Sequence, residues 1–277
     1  MSSPPNESPK SKASVFGAYS AYYDLLYQDK DYVGEAEYVR SLIVKHHPSA
    51  KSIIDFGCGT GRHAFLLAEH GYQLCGVDAA QEMLLRAQAQ LSAAAPELAA
   101  RRASSGSAPE FVPGDVRTVR LGRRFDVAVS LFHVMSYQQT NLDLRAAFET
   151  AKAHLKPGGV FIFDCWYGPA VLHLGPTVRV RRFANEQLSV TRVAEPVIHP
   201  NSNLVDVNYQ VLINDLATSS LVELRETHTL RYLFFPEVAA FAEAAGFQLE
   251  ASVEFMTNAP LGFDTWTAAF VARLAPE

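Results

Sequence analysis

Residues 52–63 read SIIDFGCGTGRH. A short apolar run is followed by a carboxylate, Asp55, and then by glycines at 57, 59 and 61. Glycine lets a backbone pass close to a ligand where a side chain would clash. The stretch therefore predicts a small organic cofactor lying against the first strand of a parallel sheet. Dinucleotide-binding folds use a related loop, G-x-G-x-x-G, to hold a pyrophosphate at a helix N-terminus. Here Arg62 stands where that spelling asks for glycine or alanine, so the fit to a dinucleotide is imperfect.

Outward from this loop the chain alternates. RHAFLLAEHG reads as a helix closed by Gly71, and YQLCGVD as a second strand ending in Asp78. AAQEMLLRAQAQLSAAA is built of strong helix formers. Residues 92–109, rich in alanine, serine and arginine, read as a partly helical, loosely packed surface excursion. EFVPGD gives a third strand ending at Asp115, and RFDVAVSLF a fourth through Phe132. A helix over 141–155, the turn KPGG and the strand VFIFDCW complete a β-α-β-α-β-β-α-β order. That order predicts a doubly wound α/β sheet with right-handed crossovers.

After Trp166 the pattern changes. Residues 177–194, 203–213 and 221–233 read as three β-branched, alternating strands without helices between them. They form an antiparallel lobe inserted into the sheet domain. A helix over 236–245 follows, with proline in its first turn and Gly246 closing it, and two strands end the chain. The boundaries are a disordered tail over 1–14, cap helices and the cofactor-binding part over 15–166, the lobe over 167–233, and completing elements over 234–277.

Composition narrows the function. The chain has 277 residues, 48% hydrophobic and 19% charged, with net charge −5. A mildly acidic chain with no basic block excludes general nucleic-acid binding and argues for small-molecule chemistry. Cys58, Cys75 and Cys165 form no CxxC pair, and their odd number suits a reducing compartment. They read as buried thiols, and no zinc site is expected. The N-terminus is polar and proline-rich, without the apolar core of a signal peptide. No run approaches a membrane span. A cytoplasmic protein without a membrane partner follows. A homodimer stays open, since lobe strands could pair across a two-fold axis.

Asp78 lies 21 residues after Gly57, where a carboxylate can accept both hydroxyls of a ribose. Asp115 could receive an adenine amino group. Together DFGCGTG at 55–61, GVD at 76–78, GDV at 114–116, FDVAVSLF at 125–132 and LKPGG at 155–159 closely resemble, in order, the motifs of the class I S-adenosylmethionine-dependent methyltransferases. The resemblance implies a Rossmann-like seven-stranded sheet with S-adenosylmethionine as cofactor. It puts Asp55, Gly57, Cys58, Gly59, Gly61, Ala79 and Met83 beside the cofactor and Asp78 at the ribose. Asp115 and Val116 would frame the adenine, and Leu131 and Phe132 would lie near the methyl.

The front of the chain narrows the subclass. Tyr19, Tyr23 and Tyr27 share a helical face at four-residue spacing. YYDLLYQDKDY at 22–32 resembles the start of nucleotide-sugar and deoxysugar methyltransferases. The resemblance implies that Tyr27, with Tyr32 as a second candidate, holds the cofactor's methionine end. The lobe also resembles that family and would build a cavity for a sugar or a nucleotide-linked sugar. A hydroxyl acceptor gains more from a general base than an amine does. His133, after the fourth strand, and His228, on a lobe strand, are the candidates. Tyr23, Tyr137, Trp166 and Tyr167 are candidates for substrate binding. The resemblance departs at 134–137, where Ser136 occupies the position at which family members carry histidine, and His133 lies one turn earlier. Hydroxyl and amino acceptors thus both stay open. Another small amine, carboxylate or natural-product hydroxyl is the alternative acceptor, and a non-catalytic cofactor-binding scaffold the remote one. Arg179, Arg181 and Arg182 read first as a solvated strand face, and second as partners of a diphosphate.

Overall fold

A computed structural model describes residues 30–102 and 108–276, with side chains omitted over 94–102. Tyr19, Tyr23, Tyr27 and the expected disordered tail lie outside the described residues. The chain divides into two compact units. One holds 31–176, 198–205 and 229–277; the other holds, among the described residues, Lys30, 177–197 and 206–228.

The first unit opens with α1 (Tyr32–His46), whose N-cap Asp31 accepts from the Gly34 amide. It continues through β1 (Ser52–Phe56), α2 (Arg62–Glu69), β2 (Gln73–Asp78), α3 (Gln81–Arg102), β3 (Glu110–Pro113) and β4 (Phe125–Ser130). Then come α4 (Asn141–His154), β5 (Leu155–Tyr167) and α5 (Gly168–His173). Thr140 caps α4 by accepting from the Asp143 amide while the Asp143 carboxylate accepts from Thr140, a reciprocal N-cap. After the lobe strands, α6 (Phe235–Ala244), β10 (Phe247–Glu254) and β11 (Thr267–Leu274) close the chain.

Parallel pairing orders the strands β3-β2-β1-β4-β5. β11 adds antiparallel to β5, and β10 to β11. This is the expected Rossmann-like sheet of seven strands. Alternation along β5 shows its two layers. Val160 and Ile162 pack with Val39, Leu42 and Ile43 of α1 and Leu67 of α2, while Phe161, Phe163 and Cys165 pack with Leu144 and Phe148 of α4 and Val238 of α6. By the two-residue period Asp164 and Trp166 share the α1 side.

Several expectations are corrected. The helix after β2 runs to Arg102, through Pro96, where a loose excursion was expected. β3 stops at Pro113, so Asp115 sits in the turn beyond, its carbonyl accepting from Thr118 and Val119. β4 stops at Ser130 because Phe132 and His133 adopt left-handed φ of 64° and 65°. β5 already pairs at Leu155, with the KPGG turn as a register shift before Val160.

In the second unit the first expected lobe strand is a hairpin, β6 (Arg179–Ala184) and β7 (Leu188–His199). Asn185 breaks it: its Oδ1 accepts from the amides of Gln187 and Leu188. β8 (Leu204–Asp215) and β9 (Ser220–Leu233) follow, in the order β9-β8-β7-β6. Val190, Val211, Ile213 and Leu224 make this unit's small core.

Candidate active site

The glycine loop leaves β1 and enters α2 with φ of +76°, +56° and +78° at Gly57, Gly59 and Gly61. L-residues avoid this region. Val77 O of β2 anchors the loop by accepting from the Gly57 and Cys58 amides. A side-chain carbon on Gly57 would lie 2.4 Å from Val134 Cγ2, and one on Gly61 2.6 Å from Phe111 Cζ. At Gly59 it would meet no protein atom within 4 Å. The loop is therefore packed against protein at its ends and open at its middle glycine, the cradle a flat-lying cofactor requires. Cys58 is buried against Gly76, and its thiol is pushed well up by burial.

Asp78 closes the cradle from β2. Its Oδ2 accepts from the Gly59 amide at 2.7 Å and its Oδ1 from the Ala80 amide at 2.8 Å. Each oxygen keeps a lone pair for a ribose hydroxyl. Ala79 is exposed beside it, and Met83 is half-buried in the first turn of α3. Asp55 is buried at the end of β1. Desolvation pushes its carboxyl up to about 7, with His63 opposing and Asp78 adding to the rise.

Tyr32, at the start of α1, lies edge-on to His63 with the Arg62 guanidinium over its ring. Glu35 Oε2 stands 2.7 Å from His63 Nε2. The structure thus brings Tyr32 to the loop's exit into α2. Tyr27 and Tyr23 lie outside the described residues. Asp115 is gripped by Arg117, which also reaches Asp143 at 2.9 Å and holds the Asp115 carboxyl below its usual range. Val116 packs at the edge of the core on the α4 side.

Beyond β4, Leu131 is buried and Phe132 partly open. His133 Nδ1 lies 2.7 Å from Asp164 Oδ2, outside hydrogen-bond alignment. The His133 amide points at both Asp164 oxygens, 3.2 Å from each. The imidazole packs on Phe132 and edge-on to Trp166, which meets Trp266. Ser136 is buried, and its hydroxyl accepts from the Trp166 amide at 2.9 Å. That bond continues the β5 ladder where β4 has ended, before Tyr232 pairs with Trp166. Tyr137 is exposed. Tyr167 was expected beside Trp166 at the substrate, but the pleat turns it into the core on the α4 side.

Sequence reading missed Tyr38. This α1 residue donates to Asn258 Oδ1 at 3.3 Å, and burial together with the nearby Asp164 carboxylate pushes its phenol up to about 12. Met256 and Asn258 in that turn also have positive φ. His228 belongs to the second unit, where it lies 3.2 Å from Glu226 and edge-on to Tyr209.

The family model for the methyltransferase domain matches residues 53–159. A dTDP-3-amino-3,4,6-trideoxy-α-D-glucopyranose N,N-dimethyltransferase of Streptomyces venezuelae is 28% identical over 87% of this chain and 92% of its own. The structure of an S-adenosylmethionine-bound amino pentose methyltransferase from Micromonospora echinaspora superposes with a TM-score of 0.69 at 25% identity, over 97% of this chain and 99% of that one. A methyltransferase structure from Clostridium acetobutylicum shares the fold at TM-score 0.77 and 19% identity, over 94% and 99%. The open cradle at Gly59, the Asp78 carboxylate and the strand order all fit S-adenosylmethionine, and the chain is an S-adenosylmethionine-dependent methyltransferase with its methyltransferase domain over residues 53–159.

Proposed function

We propose that the enzyme methylates the amino group of a nucleotide-linked amino sugar. The observation that carries this is the extent of the likeness. The relative named for a dTDP-amino sugar matches over 92% of its length, so the similarity includes the strands after β5 and not only the cofactor half. A hydroxyl acceptor was open on sequence; relatives acting on sugar amines favour nitrogen.

When bound, S-adenosylmethionine supplies an electrophilic methyl group on a sulfonium. The glycine loop and Asp78 would hold the adenosine side, with Tyr32 and Asp55 toward the methionine end and Asp115 with Val116 toward the adenine. An amine attacks only through a free lone pair, so the chain must take up its proton. His133 is the base in this reading. Trp166 offers a flat face beside it for a sugar ring, with Tyr137 exposed nearby. On the second unit Arg181 stands directly opposite Arg192 in the β6–β7 ladder, with Arg179 on the same face and Arg182 on the other. Like charges so placed repel, and among the described residues no carboxylate pairs with either. His228 is retained as a second candidate for acceptor contact.

The test is a mass-resolved assay with nucleotide-linked 3- or 4-amino sugars, their hydroxyl counterparts and the free amino sugars. Methyl incorporation on the linked amine is expected. Methylation confined to the hydroxyl counterparts would overturn the reading.

A further inference from the structure

We infer that Asp164 is a positioning residue that makes His133 a base, by fixing its backbone and the proton on its Nδ1. The inference rests on the reading of His133 as proton acceptor. Asp164 is 1% exposed. A carboxylate taken out of water costs several kcal/mol unless partners answer its charge. The partners found are the His133 amide, 3.2 Å from both oxygens, and the His133 ring nitrogen at 2.7 Å. A backbone N–H alone could be satisfied by a neutral oxygen. A full buried charge is explained by a group that becomes cationic, and the imidazole is in place to do so.

The backbone argument is independent of the ring. Phe132 and His133 are consecutive non-glycine residues with left-handed φ, each costing about 1 kcal/mol or more. Such strain persists where surrounding structure over-determines it. Here the Asp164 carboxylate binds the amide of the second strained residue, from the neighbouring strand β5. The same contact therefore holds the turn and aims the ring.

The ring argument concerns the proton. Nδ1 is buried, while 22% of the His133 side chain is open. The open part lies away from Nδ1. An acceptor-only carboxylate at Nδ1 favours the tautomer with its proton there, leaving the Nε2 lone pair available. The proton shed by the acceptor nitrogen as it gains the methyl group passes to Nε2. The imidazolium so formed stays beside the ionised Asp164, which keeps its own charge and takes up no proton.

The test compares Asp164→Asn, Asp164→Glu and His133→Gln in the full-length enzyme, with S-adenosylhomocysteine binding by calorimetry and the His133 ring nitrogens by NMR. An asparagine still accepts from the His133 amide but offers an N–H to Nδ1, favouring the opposite tautomer. Asp164→Asn is expected to lower kcat on the order of 100-fold or more while leaving acceptor KM and cofactor-product affinity within about threefold. Asp164→Glu is expected to restore part of kcat. The neutral wild-type ring is expected to carry its proton on Nδ1; finding it on Nε2 overturns the inference without any variant. Wild-type kcat in Asp164→Asn with an inactive His133→Gln overturns the positioning role and leaves the base standing. Wild-type turnover in His133→Gln removes the base itself.

Discussion

Asp78 Oδ2 accepts a 2.7 Å hydrogen bond from the amide of Gly59, so the end of β2 and the open middle of the glycine loop are one unit. Asp78→Ala removes this bond along with the acceptors proposed to face the ribose. Loss of charge-assisted bonds of this kind weakens binding by roughly 10- to 100-fold. Calorimetry with S-adenosylhomocysteine checks it, and unchanged affinity would sink the assignment.

The glycines separate packing from binding. Gly59→Ala places its methyl in the open cradle at φ +56°. Stability should fall by only about 1 kcal/mol from backbone strain, while cofactor affinity falls at least about tenfold through the steric conflict. Gly57→Ala instead drives its methyl against Val134 and should lower the melting temperature more. Equal effects of the two on binding and melting would contradict the distinction.

Asp55 makes stability pH-dependent. Its folded carboxyl is raised from 3.8 to about 7 by burial, so between these values the folded state binds more proton than the unfolded chain. This contribution is complete below pH 4 and is lost as pH rises through about 7. Asp55→Asn should therefore gain stability relative to wild type at pH 8, by up to about 4 kcal/mol, and gain little at pH 4. Urea unfolding at the two pH values measures the difference, and a pH-independent effect would refute it.

Arg181 and Arg192 repel across the β6–β7 ladder. Arg181→Ala should stabilise the hairpin by a few tenths of a kcal/mol, which urea unfolding would register. Unchanged or lowered stability would refute the repulsion.

Ser136 supplies the acceptor for the Trp166 amide where β4 has ended. Ser136→Ala leaves that part-buried N–H unpaired, at about 1 kcal/mol, which thermal unfolding would register. Retained stability would refute this role for Ser136.

The sequence by itself determined the cofactor half. Strand, carboxylate and glycine spacing are local properties of a contiguous segment, and the backbone they require is encoded by residues within a few positions. The 3.6- and 2-residue periods likewise marked the alternating elements and the change to strands after Trp166. Some local signals were missed or overridden. Pro96 did not end α3, and the Asn185 turn hid inside what read as one strand. Tyr167 looked equivalent to Trp166 until the pleat of β5 put one in the core and the other beside His133. Tertiary structure alone decided the site's chemistry-bearing contacts. The pairing of His133 with Asp164, 31 residues later, and of Tyr38 with Asn258, 220 residues later, exists because β4, β5, α1 and the turn after β10 are packed together. The left-handed turn at Phe132 and His133 is held by such long-range bonds, which no local residue preference could announce.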